Sequence, residues 1–525
     1  QTLGATVTDV VAEIPSYTAE GLPLLIKGKS KANLQTMAEW VNHSPVSAMI
    51  GDAFVGTTAT GEASLDLELN IPITDLYNTK VSGAVLLNDN TVRMNNVPEL
   101  TAARGLVRFS EKGVWGSGLT ADVYGCAATG DISTDETGKI RVIASANATP
   151  WAAAQIIGSP AIASILTHAE GAAPVNTVVE IQNGVTVRVN SNLLGIKGNA
   201  PAPFNKAADT IWDLDFDFEP CGEKEKCAAK MKLALADVLG MEIHYTNTDK
   251  GLKTQRGLLS VGKRLDRTPT KDGLELFIQT PNLKWGDWEN ILGKAQEALS
   301  SDPRRDMKTL DLNRAFIEVG RLAYKGLSFD SVKVNASAYP SGAWNGTLSS
   351  NLAKADFSFT PRTGYSHPLL TANFDYLHIP RPDIVDEAMK AAPKETQSLP
   401  SVALTIKDFC YEDYQLGFLS LWAENEGKGP STLWNLKEFS LTNNDAKLTA
   451  SGLWNAGQRK NSQTTLEATL DVTDLGQLLE RFKLAHVIND GSGQLHTSLS
   501  WNGAPVDFNT ASLNGTISTT LVSGQ

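Results

Sequence analysis

Side chains able to do covalent or metal chemistry are scattered through this sequence, and their spacing decides what they can do. Seven histidines stand singly at 43, 168, 244, 367, 378, 486 and 496. No two are separated by two or four residues, the spacings that put a pair of imidazoles on one face of a strand or helix for a shared metal ion. Asp213, Asp215 and Asp217 alternate along one segment. They would set three carboxylates on one strand face, a calcium site if loops supplied further oxygens and a solvated outer face otherwise. Gly116, Ser117 and Gly118 form a turn or bulge signal without the flanking spacing of a hydrolase elbow. Gly257 to Lys263 lacks the glycine pattern and the Ser/Thr of a phosphate loop. Nothing singles out a pair of glycosidase carboxylates. Cys221 and Cys227 flank the polar run from Gly222 to Lys226. That placement closes a small loop as a disulfide in an oxidising compartment, or leaves two thiols. Cys126 and Cys410 read as small residues in packed positions. The expectation is a protein with no catalytic residues, no metal and no cofactor.

What remains able to act is apolar surface, and strands carry it. Successive side chains of a strand point to opposite faces of its sheet, so period-two alternation makes one face greasy and the other wet. Leu65, Leu67, Leu69 and Ile71 alternate with Ser64, Asp66, Glu68 and Asn70. Trp212, Leu214, Phe216 and Phe218 alternate with the three aspartates. Leu274, Leu276 and Ile278 alternate with Glu275 and Gln279, and Val402, Leu404 and Ile406 repeat the pattern. Leu495, Leu499 and Trp501 share a face opposite Gln494, His496, Ser498 and Ser500. These read as antiparallel strands buried on one side. Their apolar face is either ordinary sandwich core or an open trough that accepts acyl chains.

Composition agrees. The chain has 525 residues, 42% hydrophobic and 20% charged, with 43 glycines, which suits a folded β-rich protein and excludes a disordered one. Lys and Arg number 46 against 58 Asp and Glu, for a net charge of -12. With no basic cluster to follow a phosphate backbone, nucleic acid is excluded as a partner. No signal-peptide pattern opens the chain, which reads as an excised fragment. Val142 to Thr167 carries no formal charge. It is too rich in Ala, Ser, Thr and Gln to span a membrane and reads as a buried or groove-covering helix.

Helical patterns are few: Lys31 to Phe54, Trp285 to Leu299, Pro382 to Ala391 and Leu475 to Phe482. They punctuate a sheet and do not alternate with its strands, which excludes a doubly wound α/β fold. A loose theme recurs at Gly61 to Ile71, Gly273 to Trp285 and Gly491 to Trp501, a Gly-led amphipathic strand after a helical or irregular stretch. Approximate modules of one long sheet follow: 1–60, 61–205, 206–300, 301–490 and 491–525, all within one continuous fragment.

The closing residues carry a more specific signal. His496 to Gly524 resembles the AsmA-like envelope proteins, and within them the large YhdP-type members, through the pattern of Leu499, Trp501, Gly503, Pro505, Asp507, Phe508, Leu513, Asn514 and Gly515. Ser82 to Gly125, with Gly105, Phe109 and Gly125, is similar to another stretch of that family. So are Asp471 to Gly493 and Asn42 to Phe54, the latter through Ser44 and Pro45. The resemblance implies a long, strongly curved antiparallel sheet with an apolar concave face. It also implies an anchor in the inner membrane of a Gram-negative bacterium, a periplasmic location and phospholipid transport between the inner and outer membranes. Roughly 35 strands at about 4.8 Å would give a sheet on the order of 170 Å long. Thirteen residues are expected to line the groove: Leu65, Leu67, Leu69, Ile71, Trp212, Leu214, Phe216, Phe218, Leu276, Ile278, Leu495, Leu499 and Trp501.

Overall fold

The structure, a computed structural model, describes residues 6–16, 22–42, 58–75, 78–94, 97–182, 184–223, 225–249, 251–265, 267–300, 311–362, 367–381, 399–427, 433–456, 462–484, 491–505 and 510–523. It is mainly β, with short helices. The chain divides into two compact units, residues 1–270 with 289–310, and residues 271–288 with 311–525.

In the first unit each long strand pairs antiparallel with the next. Thr6–Glu13 pairs with Pro23–Asn33, and the meander continues through Glu62–Pro72, Lys80–Arg93, Leu100–Ser110, Gly113–Val123, Cys126–Thr134 and Ile140–Ala148. It goes on through Ala173–Ile181, Val185–Ser191, Leu214–Pro220, Ala229–Leu235, Leu239–Thr248 and Gly251–Val261. Two-residue turns close several hairpins; Tyr124 (φ 51°) and Gly125 (φ 75°) supply the left-handed backbone that a tight primed turn needs.

The second unit runs from Gly273–Lys284 through Leu312–Tyr324, Leu327–Ala338, Trp344–Ser349, Ala353–Thr360 and Leu369–Ile379. Ser401–Tyr411, Tyr414–Asn425, Leu433–Thr442, Ala446–Asn455, Gln463–Val472, Ser492–Asn502 and Asn514–Ser523 complete it. Among the described residues two pairings depart from the antiparallel expectation. Gly273–Lys284 lies parallel to Leu312–Tyr324, and Leu369–Ile379 parallel to Ser401–Tyr411. Parallel neighbours need a crossover of a dozen or more residues, which the helix Trp285–Ser300 begins in the first case. In the second case the helix expected at Pro382 to Ala391 lies outside the described residues.

The Gly-led theme has a structural basis. Gly61 and Gly491 both adopt positive φ, 93° and 140°, immediately before a strand. The carbonyl of each accepts a hydrogen bond from the first residue of the preceding helix, Leu34 N–H to Gly61 at 2.9 Å and Leu475 N–H to Gly491 at 2.8 Å. In both places a helix, Leu34–Asn42 or Leu475–Arg481, is inserted between two antiparallel neighbours and tied back at its base. Of the expected segment Asn42 to Phe54, only Asn42 is described.

Val142 to Thr167 is not one helix. Residues 142–148 belong to the strand Ile140–Ala148, held between Cys126–Thr134 and Ala173–Ile181, because pairing on both edges overrides a composition that suits a helix. The helix Pro150–Ile157 follows, with Thr149 Oγ1 accepting from Ala152 N–H, and it stops at Gly158 (φ 66°). Pro160 opens a second helix, Pro160–Leu166, at the position where a missing N–H costs nothing. Trp151, Ile156 and Ile157 are each more than half exposed, so the pair is not buried. Among the described residues no helix is long and apolar enough to cross a membrane.

Fully buried side chains are small. Among the described residues more than half of the buried hydrophobic side chains are alanine, and only Leu258, Val81 and Val319 are large apolar side chains with almost no exposure. One cluster of packed buried residues stands out in the first unit, where Met37 of Leu34–Asn42 sits with Ala32, Ala63 and Leu65.

Candidate functional site

Register, more than any single residue, builds the site. In the second unit the paired positions form a row across twelve consecutive strands: Ile278, Ile317, Val334, Leu348, Ala355 and Phe374, then Ile406, Leu419, Leu441, Leu448, Leu470 and Leu495. Every member is apolar. The row shifted by one residue begins with Phe277 and Phe316 and then turns polar, with Asn335, Thr347, Asp356, Asn373 and Thr405, then Ser420, Ser440, Thr449, Thr469 and His496. Because a strand's side chains alternate, these are opposite faces, and a one-residue slip anywhere would exchange them. On the apolar face a parallel row is dominated by small residues in places, with Ala315, Ala336, Gly346, Ala372, Ala450 and Ala468 in register with Phe357, Leu404, Leu421 and Phe439.

The first unit repeats the arrangement. Leu65, Val85, Val107, Gly116, Ile132 and Val142 continue in register into Val179, Val187, Phe218, Met231 and Ile243 across eleven strands.

Most of these apolar residues are half-buried, as Leu67, Phe216, Phe374, Leu448 and Leu470 are, while Ile406 and Leu419 are buried. A closed sandwich core would bury Leu, Ile and Phe alike.

The thirteen expected lining residues fall as follows. Leu65, Leu67, Leu69 and Ile71 share one face of Glu62–Pro72, but Leu65 is buried under Met37 and belongs to a packed cluster. Leu214, Phe216 and Phe218 share a face of Leu214–Pro220. Trp212 precedes that strand, its backbone N–H donating to Asn192 O at 3.0 Å. Leu276 and Ile278, and Leu495, Leu499 and Trp501, lie on the apolar face of the second unit. The segment around Glu275 is not simply wet on its other side: Glu275 and Phe277 are both buried there.

Two open cavities lie on glycine-interrupted rows. One of about 770 Å³ is lined by Leu436, Gly452, Leu466, Leu499 and Gly515, which are in register across five strands, and by their neighbours in sequence. A Cβ at Gly452 would stand 2.3 Å from Thr465 O, so the backbones approach there as only glycine allows. The other, about 540 Å³, is lined by Gly28, Leu67, Gly83 and Phe109 with Lys27, Lys29 and Arg108 beside them. Phe109 lies over Gly83, where a Cβ would meet its ring at 2.7 Å. Leu67 and Leu499 were legible as alternating residues. Gly452 and Gly83 were not, since only the register shows that they extend a row.

Ion pairs brace the strands. Asp375 accepts from Lys354 at 2.9 Å and Lys407 at 2.8 Å. Those two ammonium groups, Lys407 foremost, pull its carboxyl down to about 2. A lowered folded-state value means that the bridge is complete above the ordinary aspartate range and is lost as pH falls through about 2. An NMR titration of Asp375 should show that midpoint, moving up toward the ordinary value in Lys407→Met; an unchanged midpoint would show that Lys407 is not its cause.

Several of the chemistry-bearing residues are held by neighbours. His244 Nε2 lies 2.7 Å from Glu242 and His367 Nε2 lies 2.9 Å from Gly427 O. His378 reaches Asp408, and His496 reaches Thr469 at 3.0 Å; His43 and His486 lie outside the described residues. Asp215 accepts from Asn190 at 2.6 Å and Asp217 pairs with Arg188 at 3.6 Å. Cys221 and Cys227 are joined, Cα to Cα 5.8 Å, and the nearby Glu225 is paired with Lys230. Lys206 donates to the carbonyls of Leu193, Ile196 and Ala207, and burial lowers its pKa.

The "Intermembrane phospholipid transporter YhdP" of Escherichia coli (strain K12) is 22% identical over 549 residues, covering 99% of this chain and 40% of that protein. The chain thus spans about 40% of the length of the relative it matches. No solved structure matches it. The family described as YhdP protein matches residues 1–525, so the chain belongs to the YhdP family.

Proposed function

We propose that this chain carries phospholipid across the periplasm of a Gram-negative envelope, holding acyl chains against its apolar face. The observation that carries the reading is the unbroken apolar row across twelve strands of the second unit, with a polar row on the reverse face of ten of them. Strands are about 4.8 Å apart, so that row is on the order of 50 Å long. Each methylene kept from water contributes about 0.8 kcal/mol. A tail moving from Leu419 to Leu441 to Leu448 to Leu470 therefore exchanges one hydrocarbon contact for the next, with no step at which it must be hydrated. Nothing covalent is required, and the path needs no catalytic residue. The name of the Escherichia coli relative supports phospholipid as cargo and two membranes as endpoints. An inner-membrane anchor and delivery to the outer membrane are parts of the same proposal.

Photo-crosslinking tests it. With benzoylphenylalanine at Leu448, irradiation in phosphatidylethanolamine and phosphatidylglycerol vesicles should add the mass of a phospholipid to the protein. The same group at Thr449, on the polar face, should add little. Equal labelling at both positions, or none at Leu448, contradicts the proposal.

A further inference from the structure

Four of the eleven tryptophans are followed directly by asparagine: Trp344, Trp434, Trp454 and Trp501. The fold gathers them. Trp344 opens its strand, Trp434 is the second residue of Leu433–Thr442, and Trp454 and Trp501 are each the last but one of theirs. The strands reverse direction at each antiparallel pairing, and the one parallel pairing between Trp344 and Trp434, Leu369–Ile379 with Ser401–Tyr411, keeps their two strands running the same way, so all four stand at one edge of the second unit's sheet, on its apolar face. Trp434 is in register with Trp454, which is in register with Thr464 and, through it, Trp501. The rings of Trp434 and Trp454 meet edge to face at 6.4 Å.

Three indole N–H groups are turned to the polar boundary. Trp434 Nε1 donates to Pro400 O at 3.0 Å, Trp454 Nε1 to Ser462 Oγ at 3.0 Å, and Trp501 Nε1 to Ala504 O at 3.1 Å. Each acceptor lies outside the strands, so each indole has its polar atom at the strand ends; on the greasy face Trp434 and Trp454 are half-buried, and Trp501 is buried beside them as support. Amphipathic aromatic rings take this posture at the boundary between hydrocarbon and headgroups.

We infer that this tryptophan edge is the headgroup-side seat of the lipid path: it holds the glycerol and first acyl carbons of a phospholipid, and the tails run inward toward Ala450 and Leu448. The inference rests on the apolar face being the acyl path and adds the orientation of the lipid within it. A set of rings serving only to fill space at the strand ends would have no preferred depth along the tail.

The test uses the full chain loaded with phosphatidylcholine carrying a doxyl quencher on acyl carbon 5 or carbon 16. The reporter is the fluorescence removed by the W434F/W454F double substitution, which keeps an aromatic ring at both positions. The inference expects that component to be quenched at least about twofold more by the carbon-5 label, the depth at which interfacial tryptophans sit. Stronger or equal quenching by the carbon-16 label would overturn it. Crosslinking at Leu448 in the same preparation separates the two claims. Lipid captured at Leu448 without carbon-5 preference defeats the orientation alone, and no capture at Leu448 defeats the path and the orientation together.

Discussion

Leu448→Asp combined with Leu470→Asp should empty the path while leaving the protein folded. Both residues are half-buried and adjacent in the apolar row. In the lipid-free chain the new carboxylates keep contact with water. Against an acyl chain they must shed it, which costs several kcal/mol. At about 1.4 kcal/mol per tenfold in binding, retained phospholipid should drop by at least about tenfold. Circular dichroism and the melting transition should stay close to those of the parent, and Thr449→Asp on the reverse face should retain its lipid. If the double variant unfolds while Thr449→Asp does not, the face is a closed core and the account is wrong.

Arg481→Met should produce the largest loss of stability. Arg481 Nε donates to Asp445 Oδ2 at 2.7 Å and its Nη1 to Gln415 O at 2.8 Å, while Asp445 is almost wholly buried. Thr473 and Asp474 are bonded to the Asp445 carbonyl, and the Asp474 side chain caps the helix Leu475–Arg481. One ion pair therefore pins this helix to the turn between Leu433–Thr442 and Ala446–Asn455. Removing the guanidinium leaves a buried carboxylate without its partner, a change that costs about 3–5 kcal/mol. Urea unfolding should show that loss, and adding Asp445→Asn should restore much of it, because a neutral amide at 445 carries a far smaller desolvation penalty. A shift below about 1 kcal/mol, the range of exposed pairs, would show that the pair does not anchor the helix.

The faces of individual strands were legible in the sequence because alternation is local. Ser64 to Ile71 and Gln494 to Trp501 needed only their own residues to declare an apolar side. The row was not legible, because it depends on register between strands as distant in sequence as Gly273–Lys284 and Leu312–Tyr324, with bulges that reset the pairing. The shift between Leu436 and Phe439 in pairing with Ala446–Asn455 is one, and that between Leu87 and Asn90 is another. Without those shifts Leu436 would face the wrong side.

Other misreadings have the same root. Val142 to Ala148 has the composition of a helix, and only strands on both sides make it a strand. Leu65 looked like its neighbours Leu67 and Leu69 until Leu34–Asn42 brought Met37 over it. Glu275 looked solvated, yet it is buried beside Phe277. The Trp-Asn dipeptides were visible as text, and their meaning came only when the strand directions, one parallel pairing included, put strand beginnings and ends on one edge. Parallel pairing at two places could not be read from alternation, since both directions leave the same period.

The most direct test is native mass spectrometry with lipid extraction on the purified 525-residue chain. The account predicts phospholipid bound to the parent protein and lost from a still-folded Leu448→Asp, Leu470→Asp variant. A parent chain that is lipid-free after exposure to phospholipid vesicles, or a folded variant that retains as much lipid as the parent, would contradict it.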